Sequence, residues 1–314
     1  MPDDGPANLF AYPDIPRSGL GNALIPWARA EAFAERSGAR ILAPRWVQPK
    51  LGPILRRERD LRLYWGYFSS DGFVSGRRKR ELLRSAVRHE HTDADAAIEA
   101  AAADPGTDHL VVFRFPEWGD NFFDGDAPHH RALLARRLPA ILAPGMRARL
   151  ERARAALPRD YIAIHVRRGD KKVMSEGQQV DLYRESSWVM RDAWYKRALA
   201  ATREAIGTDA PAVVFSDGSD EQIADILAEP GTTRAPKSPS IVDILLLAGG
   251  KILIGTSNSS FSLWAALIAD IPSVWYPGAA KHMYPGDPSL LIETTEAGEV
   301  SPEQAAVLVR GWDA

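Results

Sequence analysis

The sequence predicts an α/β protein of two doubly wound domains, and three observations carry that reading. The C-terminal half alternates short apolar runs rich in β-branched residues with longer helical patterns. Its clearest strand, Tyr161-Ile162-Ala163-Ile164-His165-Val166, is apolar on both faces and breaks off into Arg167-Arg168-Gly169-Asp170. The 314 residues also exceed the usual size of a single core, which makes two domains the natural division. We expect the boundary near residue 155, giving domains 1–155 and 156–314.

In the first domain a strand is expected over Asn8–Tyr12. Ser18-Gly19-Leu20-Gly21-Asn22 then reads as a Gly-rich turn opening a helix that stops at Gly38, with Pro26 tolerated in its first turn. Residues 45–71 are rich in aromatics, Trp46, Tyr64, Trp65, Tyr67 and Phe68 among them. Such density suits either a core or a carbohydrate-stacking face, and the core reading is the one taken for most of them. Ser85–Ala103 reads as a pair of helices ended by Asp104-Pro105-Gly106, and His109–Phe115 as a strand. Arg131–Leu157 is helical with an interruption at Ala143-Pro144-Gly145.

The second domain follows as strand 161–166, helix 187–206 ending at Gly207, and strand 212–215 capped by Ser216-Asp217-Gly218. Ser219 with Gln222 three residues on forms a capping box. Helix 241–248, strand 251–255, helix 259–269 and strand 273–276 complete the alternation.

Composition excludes several classes of function. Lys and Arg total 39 against 41 Asp and Glu, so nothing in the balance points to nucleic acid. The one basic run, Arg77-Arg78-Lys79-Arg80, reads as a solvated helix face. Cysteine is absent, which removes disulfides, thiolate catalysis and thiolate zinc sites. The first thirty residues carry no basic start and no apolar run of signal length, and no eighteen-residue apolar span occurs. A cytoplasmic location is expected, and peripheral association with a membrane surface would leave no mark in such a sequence.

Three strand ends of the second domain carry polar groups: His165 to Asp170, Ser216-Asp217, and Thr256 to Ser260. Parallel strands would gather all three at one edge of the sheet, where open α/β sheets bind their ligands. Two adjacent arginines there call for an anion, since forked guanidinium donors match phosphate or carboxylate oxygens. The structural alternative pairs Arg168 with Asp170 in a local ion pair. Ser257-Asn258-Ser259-Ser260 ahead of a helix supplies hydroxyls, N–H groups and the positive end of a helix dipole. Asp124-Gly125-Asp126 has the spacing of a divalent-metal motif but lies nine residues beyond its strand, so no metal and no cofactor is expected.

His165-Val166-Arg167-Arg168-Gly169-Asp170, Ser18-Gly19-Leu20-Gly21-Asn22 and Ile254-Gly255-Thr256-Ser257-Asn258-Ser259-Ser260-Phe261-Ser262-Leu263-Trp264 together resemble the fucosyltransferase superfamily of bacterial α-1,2, α-1,6 and protein O-fucosyltransferases. Their order and separation match over roughly residues 10 to 280, and the third is closest to the α-1,2 branch.

The resemblance implies two Rossmann-like domains in a GT-B-like architecture, with an acceptor-side N-terminal domain and a nucleotide-sugar-binding C-terminal one. It implies metal-independent, inverting transfer of fucose from GDP-fucose to a glycan hydroxyl, with galactose and an α-1,2 linkage expected. Arg167, His165 and the 257–260 backbone would hold the β-phosphate. Gly21 and Asn22 would reach the donor from the other domain, Arg168 and Phe261 would line its site, and Asp217 would accept from the guanine edge. Glu176 sits one residue off the position of the glutamate proposed as base in α-1,6 relatives. Glu176, Asp170 or no base at all therefore stay open. Another nucleotide-sugar donor, or a non-catalytic nucleotide or glycan binder, are the alternatives.

Overall fold

A computed structural model describes residues 6–48, 63–116, 127–169, 171–175, 178, 180, 185, 187–257, 259–279 and 287–314, side chains 127–129 excepted. The chain divides into two compact units, with the split between Met146 and Arg147. Each is an α/β unit around a parallel sheet.

The sheet of the first unit has the order β2-β1-β4-β3, formed by β1 (Leu9–Pro13), β2 (Arg40–Ile41), β3 (Val87–Glu90) and β4 (His109–Phe113). Its first crossover is α1, Leu20–Ser37, which buries Leu20, Leu24, Trp27 and Phe33. Gly38 takes φ 70° and returns its N–H to the Ala34 carbonyl at 2.9 Å, a left-handed stop that suits glycine. The helix begins directly after Gly19, so Gly21 and Asn22 lie within its first turn rather than in a loop before it. Pro26 consequently falls deeper than expected, in the second turn, where it withholds the N–H that the Asn22 carbonyl would otherwise receive.

The expected helix pair over 85–103 is also corrected. Helix α2 is Gly76–Ser85 and α3 is Ala94–Ala103, with edge strand β3 between them. Val-Arg-His-Glu is largely exposed and lacks an alternating pattern, so its extended state comes from pairing with β4 and not from its own side chains. The basic run lies on α2: Arg78 reaches Asp108 and Arg77 reaches Glu81, as a solvated face does. Beyond it, α4 (Ala127–Ala140) and α5 (Pro144–Ala155) are separated at 141–143, so the break falls two residues ahead of the interruption expected at 143–145, and Pro144 opens α5. Asp124-Gly125-Asp126 lies outside the described residues.

The second unit holds a six-stranded parallel sheet, order β12-β11-β10-β5-β8-β9. Its strands are β5 (Ile162–Val166), β8 (Ala212–Ser216), β9 (Thr232–Arg234), β10 (Ile252–Ile254), β11 (Ser273–Trp275) and β12 (Leu291–Glu293). Strands β5 and β10 are buried throughout, which is why they read as unbroken apolar runs. Helices α6 (Asp192–Ile206), α7 (Ala224–Leu227), α8 (Ser240–Leu247), α9 (Ser260–Ala269) and α10 (Pro302–Asp313) complete it. The helix expected from 187 starts five residues late, because Trp188-Val189 (β7) pairs with Lys172-Val173 (β6) in a separate ribbon. Strands β9 and β12 and helix α10 extend the unit beyond what periodicity signalled. Both strands are three residues long and only partly buried, too short to show a period.

Gly255, just past β10, is required by packing, since a Cβ there would lie 2.6 Å from the Trp275 ring. The chain can therefore turn close over β11 and present Thr256 and Ser257 at the sheet edge.

Candidate functional site

The ends of β5, β8 and β10 adjoin in the sheet, with Val166 opposite Ser216 and Ile254 opposite Ile164. The three polar strand ends are thus neighbours at one edge, as parallel pairing required.

A chain of hydrogen bonds runs beneath that edge. His165 is buried, and its Nδ1 lies 2.7 Å from Ser262 Oγ on α9. Ser262 Oγ in turn accepts the Thr256 N–H at 3.2 Å. Thr256 Oγ1 accepts from the buried Tyr195 hydroxyl at 2.8 Å. The Tyr195 ring lies under the Arg168 guanidinium, 5.8 Å from its centroid. Burial pushes the Tyr195 hydroxyl up to about 12, so it stays protonated and donating. These contacts fix the loop after β10 to α6 and α9, and through His165 to β5.

Burial, with Arg167 adding to it, pushes the His165 imidazole down to about 3. The ring is therefore neutral and contributes hydrogen bonds but no charge. Phe261 stacks beside it, ring centroids 5.8 Å apart and planes at 25°.

The two arginines have different surroundings. Arg168 is 3% exposed and ion-paired with Asp192 at the start of α6. It also donates to the carbonyls of Arg167 at 2.9 Å and Met190 at 3.2 Å. The loop-stiffening role expected for it is present through Asp192, its carboxylate partner among the described residues; the anticipated Asp170 lies outside them. Arg167 is more open, at 27%, with Nε 3.2 Å from Asp217 Oδ2. That contact is an ion pair by distance without the alignment of a hydrogen bond.

Asp217 also accepts the Arg168 N–H through Oδ1 at 2.7 Å. One carboxylate therefore spans both arginines and ties the end of β8 to the end of β5. The reciprocal bonds expected of Ser219 and Gln222 form, Ser219 N–H to Gln222 Oε1 at 2.8 Å and Gln222 N–H to Ser219 Oγ at 3.4 Å, but they precede a 3-10 turn at Glu221–Ile223 and α7 itself starts only at Ala224.

At the third strand end Ser257 is 2% exposed, and its hydroxyl has no partner among the described residues. Ser259 precedes α9 without a side-chain cap, and Ser260 begins the helix. Backbone N–H groups at that helix end are therefore not taken by the Ser259 hydroxyl. An open pocket of about 550 Å³ lies beside the Arg168 network, with Arg191, Asp192, Gln222 and Asp225 in its lining.

Sequence reasoning therefore located His165, Arg167, Arg168, Asp217, Ser257, Ser259, Ser260 and Phe261 on one strand-end edge of one unit. Gly21 and Asn22 belong to the first unit, on α1. Asn258 and Glu176 lie outside the described residues. The supporting residues Asp192, Tyr195 and Ser262 were not singled out individually. An acidic residue opening a helix signals only a helix start, and nothing in the spacing links Asp192 to Arg168.

No protein-family model matches the chain, and no curated protein matches it in sequence. Among solved structures, the chain is similar to the NodZ α-1,6-fucosyltransferase soaked with GDP-fucose, at 16% identity and TM-score 0.50 over 86% of this chain and 95% of that one. Arabidopsis thaliana FUT1 in complex with GDP aligns at 11% identity and TM-score 0.47, over 87% of this chain and 71% of that one. POFUT1 in complex with GDP aligns at 10% identity and TM-score 0.47, over 85% and 98%. The protein has the GT-B-like α/β fold, built on parallel sheets. Within that class, NodZ is a solved example whose fold this chain shares across nearly its whole length.

Proposed function

We propose that the protein is a glycosyltransferase that moves fucose from GDP-fucose to a hydroxyl of a glycan, with inversion and without a metal ion. The observation that carries this reading is the strand-end edge of the second unit. A partly open Arg167, the buried hydroxyl of Ser257 with no partner among the described residues, and the uncapped start of α9 adjoin there over a neutral His165. Such an edge holds a diphosphate by directed donors, and Arg167 meets the negative charge that grows as the sugar–oxygen bond breaks. The fold shared with NodZ supports the choice of donor, and the three sequence motifs support it independently.

In this reading Arg168 holds the turn and Arg167 does the work on the phosphate. Gly21 and Asn22 are assigned to the donor on the likeness of the Ser18–Asn22 stretch alone. Asn258 and Phe261 complete its lining. Asp217 has lone pairs beyond the two contacts it already makes and offers them to the guanine edge. A galactose hydroxyl and an α-1,2 linkage are the acceptor chemistry we assign, on the likeness of the Thr256–Trp264 stretch. Glu176 and Asp170 are the two carboxylates we offer as bases for the acceptor proton, with no base at all as the third option. Retained turnover in both Glu176→Gln and Asp170→Asn would mean that an oxocarbenium-like transition state needs no base.

The deciding experiment incubates the protein with a panel of nucleotide sugars and glycan acceptors and measures nucleotide release. GDP release from GDP-fucose alone, undiminished by EDTA, is expected. Release from a different nucleotide sugar would change the donor. GDP binding without turnover on any acceptor would make the protein a binder, and activity lost to EDTA and restored by Mg²⁺ or Mn²⁺ would overturn the charge assignment.

A further inference from the structure

Trp65 is 81% exposed, whereas the next most exposed large apolar side chain among the described residues, Val87, is 45% exposed. Leaving an indole in water forfeits the burial of a large apolar area, so its position calls for a reason.

The backbone holds it outward by force of conformation. Tyr64, immediately before it, takes φ 51°, a left-handed value that a bulky non-glycine residue adopts only when its surroundings impose it, and Gly66 after it takes φ 69°. The surroundings are evident. The Tyr64 ring is buried, and its hydroxyl donates to the Ser18 carbonyl at 3.3 Å, at the head of the Ser18–Asn22 motif. The Tyr67 N–H closes on the Tyr64 carbonyl at 3.3 Å, and the Tyr67 carbonyl accepts from Ala143 at 3.0 Å. Tyr67 packs on Tyr64 at 5.5 Å and on Phe68 at 6.2 Å, and Phe68 packs on Trp46 at 4.2 Å. The aromatic-rich stretch thus splits in two: Trp46 and Tyr64 form core, and they brace a turn that displays Trp65.

What covers the indole is decided by its setting. Protein docking surfaces are broad, with an apolar centre of many residues. Trp65 is instead followed by exposed Gly66, Ser70, Asp71 and Gly72. An exposed flat aromatic face in a stretch whose exposed described neighbours in sequence are small or polar matches a pyranose, whose C–H face is apolar and whose rim of hydroxyls seeks hydrogen bonds. We propose that Trp65 is a stacking platform for a sugar ring of the glycan acceptor. The assignment of that glycan as acceptor rests on the transferase reading; the sugar-binding role of Trp65 does not.

The test is a titration of galactose-, glucose- and N-acetylglucosamine-containing oligosaccharides into the wild type and Trp65→Phe, following tryptophan emission without donor present. At least one sugar should shift the wild-type emission to the blue and leave the Trp65→Phe spectrum unmoved. Trp65→Ala should weaken that sugar roughly tenfold, with Trp65→Tyr recovering part of the loss and GDP affinity unchanged. Sugar affinity that is equal in wild type and Trp65→Ala, or a panel in which no sugar alters Trp65 emission, would overturn the proposal. Sugar binding through Trp65 in a protein that turns over no nucleotide sugar would leave it standing while removing the transferase reading.

Discussion

Gly169 and Asp217 are packed so closely that a side chain on the first would collide with the carboxylate of the second. A Cβ on Gly169 would lie 2.5 Å from Asp217 Oδ2, and Gly169 itself takes φ 24°. The glycine after the two arginines is therefore what lets Asp217 reach both the Arg168 N–H and the Arg167 guanidinium. Gly169→Ala should cost about 1–3 kcal/mol in backbone strain and displace Asp217. A lower melting temperature together with weaker GDP binding by calorimetry is expected. A variant that binds GDP like the wild type would show that the clamp does not organise the donor site.

The two arginines should respond differently to substitution. Arg167→Lys keeps a charge but loses the planar fork, and should lower turnover by about 10²–10³ with a smaller change in GDP affinity. Arg168→Ala removes a buried guanidinium together with its ion pair to the partly buried Asp192, and should destabilise the fold by about 1.5–3 kcal/mol. Denaturant unfolding and single-turnover kinetics on both variants check the division. Near-normal turnover in Arg167→Lys would mean the roles are reversed.

Guanine recognition is tested by base selectivity rather than by affinity alone, because Asp217 also holds Arg167. Asp217→Asn should reduce the preference for GDP over ADP, costing roughly 1–3 kcal/mol of discrimination. Undiminished preference in Asp217→Asn, with a loss in Asp225→Asn, would seat the base in the pocket lined by Gln222 and Asp225.

His165 links stability to pH. Its folded value, about 3, lies below the ordinary 6.5, so the unfolded chain binds its proton first as pH falls. The stability held above pH 6.5 is lost progressively from there down toward pH 3. In thermal melts between pH 7 and 4.5, His165→Gln should show a shallower decline than the wild type. Equal slopes would mean that the ring is not held neutral by burial.

The sequence by itself determined the second unit's alternation of strand and helix and the edge on which its polar residues meet. Strands buried on both faces have no choice but to read as apolar runs, and parallel pairing then brings their polar ends together. It also determined that Arg167 and Arg168 stand at such an end, because a strand's last residues are read directly from where its apolar run stops. Tertiary structure decided what local pattern cannot encode. Strand β3 is extended because β4 lies beside it, and Pro26 sits in a second turn because the helix could start at Leu20 once Gly19 was placed. Arg168 finds Asp192, twenty-four residues away, through the packing of α6 against the sheet. Trp65 and Tyr64 are neighbours of like chemistry, and only the left-handed backbone at Tyr64 sends one ring into the core and the other into water. Pairings of that kind depend on three-dimensional proximity, for which a linear sequence carries no periodic signal.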